Sequence, residues 1–380
     1  MHWHSYLRSS AEIIRLYDGA IPLAAWLKNY FRQYKKFGSK DRKLISDLCF
    51  CYYRLGPAFK AETTEEQLMI GQFLCHEKSG AIQTLRPEWA AKANSSLQEK
   101  LSLLRKNDSY FFPFLSELSK EIEPGLFDES HLVQPDLFLR IRRGKKQAVI
   151  QKLKDAGVNF IGEGDSIRLP NSTRIEEIIE LDREVVVQDK SSQQVLNLLR
   201  VALNKEEFTT WDCCAASGGK TILLHDQFPK AQLTVSDIRE SILHNLHARF
   251  RRAGIRQFQS FVADVSSPAF SSSQKFDVII CDAPCSGSGT WGRTPEQLYF
   301  FPKEKIDDYS KLQKAIAVNV SKSLKQGGFF LYITCSVFYK ENEEVVEIIL
   351  QNTDLTLVKT QYMKGYTEKA DTLFTALFRL

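Results

Sequence analysis

The feature that most restricts this chain is an alternation that begins near Gln188 and continues toward its last residues. Apolar or β-branched runs at 208–212, 232–236, 258–262, 276–281 and 328–334 are separated by helical stretches at 220–227, 240–253 and 305–324. A further helical stretch, 341–350, follows the fifth run. Strands joined through helices pair in parallel, so the expected class is α/β with a mostly parallel, doubly wound sheet. Such sheets take their ligands outside the carboxyl ends of the strands. The residues with chemical potential fall at those ends, which is the main reason to read them together.

The first run leads into Asp212-Cys213-Cys214-Ala215-Ala216-Ser217-Gly218-Gly219-Lys220-Thr221 and then a helix. Small residues and paired glycines let a backbone turn sharply and approach a ligand closely. A P-loop would need glycine where Cys214 stands, and the dinucleotide pattern Gly-x-Gly-x-x-Gly is also absent. Asp237 ends the second run, where a carboxylate would accept both ribose hydroxyls. Asp264 follows the third, placed to meet an adenine amino group. Each aspartate alone reads as a turn or helix cap. A glycine loop and two carboxylates after three successive strands read instead as a nucleoside pocket. Nothing in it provides for a pyrophosphate, which favours S-adenosyl-L-methionine as cofactor over a dinucleotide.

The fourth run ends in Asp282-Ala283-Pro284-Cys285-Ser286-Gly287-Ser288-Gly289-Thr290, and the fifth in Thr334-Cys335-Ser336. Neighbouring parallel strands lie about 5 Å apart, so cysteines just past their ends can face one pocket. A lone strand-end cysteine reads as core filler. Two at the ligand edge, one of them beside a carboxylate and a proline, read as reagents. Carbon 5 of cytosine is too weak a nucleophile to take a methyl group unaided. A thiolate added at carbon 6 makes it enamine-like, which is covalent catalysis. Asp282 is then a candidate to supply or share a proton at ring nitrogen 3. Afterwards the proton on carbon 5 and the attached cysteine must both leave, a step that a second thiol can assist. A lowered thiol pKa is expected near Lys220 and a helix amino end.

The remaining sequence has a different texture. From about Ser10 to Leu132 apolar residues recur at three- and four-residue steps, a helical pattern. It contains a basic turn, residues 35–43, in which cap-like Ser39 opens the next helix. From Pro135 to about Val187 a strand at 137–141, a helix at 148–156 and a short strand at 166–169 suggest a small α+β module. That module carries a run of cations, Arg140, Arg142, Arg143, Lys145 and Lys146, that suits RNA. The formal charge of +5 permits an anionic partner without requiring one. No run of about 18 apolar residues is present, so no membrane span is expected. No secretory signal is evident either, and a cytoplasmic monomer with reduced thiols is expected. Adjacent Cys213 and Cys214 cannot form a Cys-x-x-Cys knuckle and no histidine cluster matches them, so no metal site is expected.

From about Val185 onward the chain resembles the Fmu/Sun (Nop/Sun) family of RNA 5-methylcytosine methyltransferases. The resemblance is carried by residues 187–193, the Cys214–Thr221 loop, Asp237, Asp264, Asp282–Gly289, Thr334-Cys335-Ser336 and Glu341-Asn342-Glu343. It implies a Rossmann-like class I methyltransferase core that uses S-adenosyl-L-methionine. It further implies Cys335 as nucleophile and Cys285 as the releasing cysteine. Cys214, Ala215, Ala216, Ser217, Gly218, Gly219, Lys220, Asp237, Asp264 and Asp282 would surround the cofactor, with Lys220 near the reacting base. DNA cytosine-5 enzymes attack with the proline-cysteine thiol instead, so the additional Thr334-Cys335 points to RNA. The implied organisation is a NusB-like helical domain over 1–132, an RNA-recognition-like module over 133–187 and the catalytic domain over 188–380. No further RNA-binding module is expected after the last core strand. The chain departs from the family's pattern at Ser217, where proline is usual, at Arg142, where asparagine is frequent, and at Asp371-Thr372, which lacks a following glycine. The front-end domain leans toward 16S ribosomal RNA as substrate, with transfer RNA as the alternative. A noncatalytic RNA-binding assembly factor is the competing reading from another class.

Overall fold

The computed structural model describes residues 2–105 and 110–380; Met1 and residues 106–109, which fall within the span expected to be helical, lie outside the described residues. The chain forms two compact units. One comprises Met1–Ser116, Glu123–Gln134 and Trp291–Pro302, the other Glu117–Ile122, Pro135–Thr290 and Lys303–Leu380. Among the described residues no helix is long and apolar enough to cross a membrane.

The first unit is helical. Its longer helices are α1 (Trp3–Leu16), α2 (Leu23–Gln33), α3 (Ser39–Arg54) and α4 (Thr64–Cys75). Leu7 and Ala11, Leu27 and Phe31, Ile45 and Leu48, and Met69 and Phe73 recur at three- or four-residue steps and bury a common core. Ser39 is the first residue of α3 but does not cap it. The cap is Gly38, whose N–H donates to the Asp41 carboxylate at 3.0 Å. The segment Trp291–Pro302 belongs to this core through a hydrogen bond from Leu23 N to Glu296 Oε1 at 3.0 Å and an edge contact of Phe300 with Tyr17.

The second unit contains two sheets. The smaller has strands β1 (Leu137–Ile141), β2 (Ile161–Glu163), β3 (Ser166–Leu169) and β4 (Val185–Val187), antiparallel in the order β2-β3-β1-β4. Helix Lys146–Asp155 packs Val149 and Leu153 onto it. The cationic run is not the uniform patch that the sequence suggests. Arg140 and Arg142 are buried and both pair with Asp226 of helix Gly219–Gln227. A guanidinium taken out of water costs several kcal/mol unless it is paired, so these two fasten the module to that helix. Arg143, Lys145 and Lys146 remain exposed.

The larger sheet holds β5 (Thr209–Asp212), β6 (Gln232–Asp237), β7 (Phe258–Val262), β8 (Phe276–Asp282), β9 (Leu324–Thr334), β10 (Thr356–Lys364) and β11 (Thr372–Arg379). Their order is β10-β11-β9-β8-β5-β6-β7. Strands β5 to β9 are parallel; β10 and β11 are antiparallel and extend the sheet beyond the five expected runs. The fifth run begins earlier than expected, at Leu324, because β9 pairs with Phe276 and passes a register irregularity where Gly327 takes φ 74°. Helix Glu304–Ser321 therefore stops short of residue 324. Helix Glu343–Asn352 starts two residues late, since Tyr339–Glu341 forms a 3-10 turn that buries Glu341. Apolar clusters cover both faces, one around Val235, Leu246 and Phe250, the other around Trp211, Phe276 and Ile316.

Candidate active site

Strands β5, β8 and β9 lie side by side, and their ladder runs past the strand ends. Cys213 N donates to Ile280 O, and Ala283 N to Ile333 O, each at 3.0 Å. The residues that follow therefore emerge on one edge, which opens on a cavity of about 470 Å³. Cys214, Ala216, Lys220, Asp237, Asp264, Asp282, Cys285 and Cys335 all line it.

The two cysteines come together closely, with Sγ to Sγ at 3.3 Å. The hydrogen bond with Cys335, together with burial, holds the Cys285 thiol well above the ordinary thiol range. Beside them Lys220 Nζ donates to Asp282 Oδ2 at 2.6 Å. Burial works against the Lys220 charge, but the Asp282 carboxylate outweighs it and raises the ammonium above its usual value. The Lys220 ammonium thus stands next to the thiol pair, yet Cys285 is raised and not lowered, against the depressed thiol pKa expected there, because the bond with Cys335 and burial outweigh the cation.

A carboxylate that the sequence reading did not assign to the site fixes the two cysteine loops to one another. Glu341 is fully buried. Its Oε2 accepts from Ser286 N and from Gln313 Nε2, both at 2.9 Å, and its Oε1 accepts from Ser336 Oγ at 2.9 Å. Ser286 follows Cys285 and Ser336 follows Cys335, so one side chain grips both neighbours. Burial raises the Glu341 pKa against those three donors. Asn342 Nδ2 donates to Ser336 O at 2.9 Å, and Gly289 N to Cys335 O at 2.9 Å. A Cβ on Gly289 would stand 2.1 Å from Thr372 O, so glycine is required for that approach. The sequence signal was present in Glu341-Asn342-Glu343, but nothing in it says which acid turns inward.

On the nucleoside side, Asp237 is buried at the end of β6. Its Oδ2 accepts from Ala216 N at 3.1 Å and its Oδ1 from Arg239 N at 3.0 Å. Asp264 Oδ1 accepts from Ser266 N at 3.0 Å and Ser266 Oγ at 2.6 Å, so one of its oxygens serves its own turn. Four loop residues expected around the cofactor do not line the cavity. Ala215 N bonds Ser236 O, Ser217 receives Arg249 through its Oγ, and Gly219 opens the helix. Gly218 takes φ 78° with its Cα against Phe250 and Leu246, where a Cβ would clash. They shape the loop from behind. Carboxylates at two successive strand ends, with Ala263, Val265, Leu312 and Ile316 as apolar lining, suit a ribose and a purine and offer no cradle for a pyrophosphate. S-adenosylmethionine fits that donor set.

Comparisons with known proteins agree. Residues 199–376 match the family model described as 16S rRNA methyltransferase RsmB/F. A protein of Citrobacter koseri named ribosomal RNA small subunit methyltransferase B is 27% identical over 375 residues, 86% of each chain. Its namesake in Serratia proteamaculans is 27% identical over 380 residues, again 86% of each. Among solved structures, PH0851 superposes with a TM-score of 0.74 at 20% identity, covering 99% of this chain and 98% of its own. NSun6 from Pyrococcus horikoshii, solved with SFG, gives a TM-score of 0.59 at 16% identity over 70% of this chain and 96% of its own. These structural likenesses establish the expected Rossmann-like fold. Residues 199–376 match the family that the motifs resembled, and the chain is an S-adenosylmethionine-dependent methyltransferase.

Proposed function

We propose that the protein methylates carbon 5 of a cytosine in ribosomal RNA, with 16S RNA as the substrate that its relatives' names suggest. The observation that carries the reading is the pair of thiols, 3.3 Å apart, on the cavity that also holds Lys220, Asp282 and Asp237. Cys335 adds through Sγ to carbon 6, and the electrons of the broken double bond collect at carbon 5. S-adenosylmethionine, when bound, supplies the electrophilic methyl group. Asp282, holding the Lys220 ammonium, shares that pair's proton with ring nitrogen 3 and offsets the charge that develops on the base. Cys285 takes the proton from carbon 5, and the returning electron pair expels Cys335. Residues 1–132 would act as a NusB-like RNA-binding domain and 133–187 as an RNA-recognition-like module, with exposed Arg143, Lys145 and Lys146 reaching phosphates. The target base is reached in a loop or flipped from its stack.

Incubation with labelled cofactor and 16S RNA, with transfer RNA in parallel, followed by bisulfite mapping, should place 5-methylcytosine at a defined 16S position. The Cys285→Ala protein should accumulate on RNA as a complex that survives denaturing electrophoresis. Normal release by that variant would sink the division of labour between the cysteines.

A further inference from the structure

The helical unit holds a side-chain cluster that methyl transfer does not use. Asp47 and Cys51 stand one helical turn apart on α3, hence on one face. Cys75 ends α4 and His76 is its C-cap. Gly71 brings the two helices close, since a Cβ there would sit 2.6 Å from Cys51 O. His76 Nε2 lies 3.4 Å from Cys51 Sγ and 3.0 Å from Asp47 Oδ2, and the half-buried Cys75 directly precedes His76. We propose that Asp47, Cys51 and His76, with Cys75 as fourth ligand, form a site for a divalent ion of the zinc class.

Ligands 2.0–2.3 Å from a tetrahedral zinc are roughly 3.3–3.8 Å from one another. The ligand atoms of Asp47, Cys51 and His76 all lie within 4.8 Å of each other, so an ion meets three ligands in place, and Cys75, outside that set, must turn in as the fourth. Thiolate and imidazole favour zinc over the hard cations magnesium and calcium. Two thiolates and a carboxylate around a dication leave one negative charge in excess. Arg54, buried and in electrostatic reach of Asp47, Cys51 and Cys75, offsets it. That guanidinium is itself engaged by His131 O at 2.8 Å and Gly292 O at 2.9 Å, so it does not occupy the ion's place. Gln72 Nε2 donates to Asp47 Oδ2 at 2.7 Å and is held in turn by Ser79 Oγ, an outer shell that orients the carboxylate. The Asp47 and His76 side chains are 43% and 34% exposed, which leaves a path from solvent. Local spacing could not reveal the set, because its members come in two pairs from different helices.

The full chain, stripped with chelator, is titrated with cobalt and then zinc. One equivalent of cobalt should give a thiolate charge-transfer band and the intense d–d absorption of four-coordination, and zinc should abolish both. Zinc should also raise the thermal midpoint of the wild type. Cys51→Ser and His76→Gln should each weaken binding by at least the roughly 10-fold that loss of an outer-shell partner costs. Cys281→Ser should leave it intact. No cobalt–thiolate band in the wild type overturns the proposal. So does binding that survives both helical variants but is lost in Cys281→Ser, which would put the ion on Cys213, Cys214 and Cys281. Should Cys51→Ser fail to fold, the partly exposed His76→Gln decides, with its helical circular dichroism as control.

Discussion

Two groups of thiols occupy one sheet and differ in almost everything but proximity. Cys213 and Cys281 are buried to 1% and 0% exposure among Trp211, Phe276 and Ile279. Cys285 and Cys335 lie past the ends of β8 and β9, partly exposed, with Lys220, Asp282 and Glu341 around them. Proton affinity does not separate the groups. Burial holds the Cys213 thiol well above its ordinary range, as the bond with Cys335 and burial do for Cys285, while hydrogen bonding from Cys213 and Cys214 brings interior Cys281 down to about 6. Packing separates them: Cys281 sits within β8, and Cys213, although just past β5 and reached by the cavity, is almost wholly buried among apolar side chains. Inside the ladder a thiol has apolar neighbours and serves as a small hydrophobe. A few residues farther on, the same side chain meets charges and a ligand cavity.

The sharpest way to break that comparison is Cys335→Ala. It should lower methyl transfer on the order of 10³-fold or more, measured by labelled-methyl incorporation, because the carbon 6 adduct cannot form. Activity within a few-fold of wild type would return Cys335 to the filler class. Asp282→Asn should come next, at about 10²-fold or more in single-turnover rate with near-native folding. It removes the counter-charge of Lys220 and leaves burial to depress that ammonium.

The same comparison marks what could be read from sequence. The five parallel strands and the helices between them were legible, because a fully buried strand and an amphipathic helix each leave a run of characteristic period. The strand ends were legible too, since aspartate, glycine and cysteine break those runs. Burial was not. The five cations of the small module look alike in sequence, yet Arg140 and Arg142 are consumed by Asp226, a residue more than eighty positions away. Glu341 and Glu343 likewise differ by where a 3-10 turn points them, which sequence period does not encode. Gln313 joins the site from a long helix on which it looks like any surface glutamine.

A pH series sharpens the difference between the two thiol groups. Because the Cys285 pKa is raised, its thiolate is a minor species near neutrality, and that fraction grows about tenfold per pH unit until the pKa is passed. If Cys285 must be ionised to take the proton from carbon 5, release of the adduct accelerates with pH in quench-flow measurements. The slope should vanish in Cys285→Ala. A pH-independent release in the wild type would show that another group carries the proton.

The smallest expected effect is the other arm of the comparison. Cys281→Ala deletes a sulfur from a fully packed position between Trp211 and Tyr332 in the same apolar cluster. The loss is about one methyl-sized group plus a residual cavity, roughly 1–2 kcal/mol of stability, read as a shift in urea midpoint at unchanged slope. Methyl transfer should stay within about twofold of wild type, because nothing within reach of the base has moved. A Cys281→Ala protein that melts normally but no longer methylates would mean that the sheet's interior thiols share in the chemistry, and that leaving the apolar packing is not what turns a cysteine into a reagent.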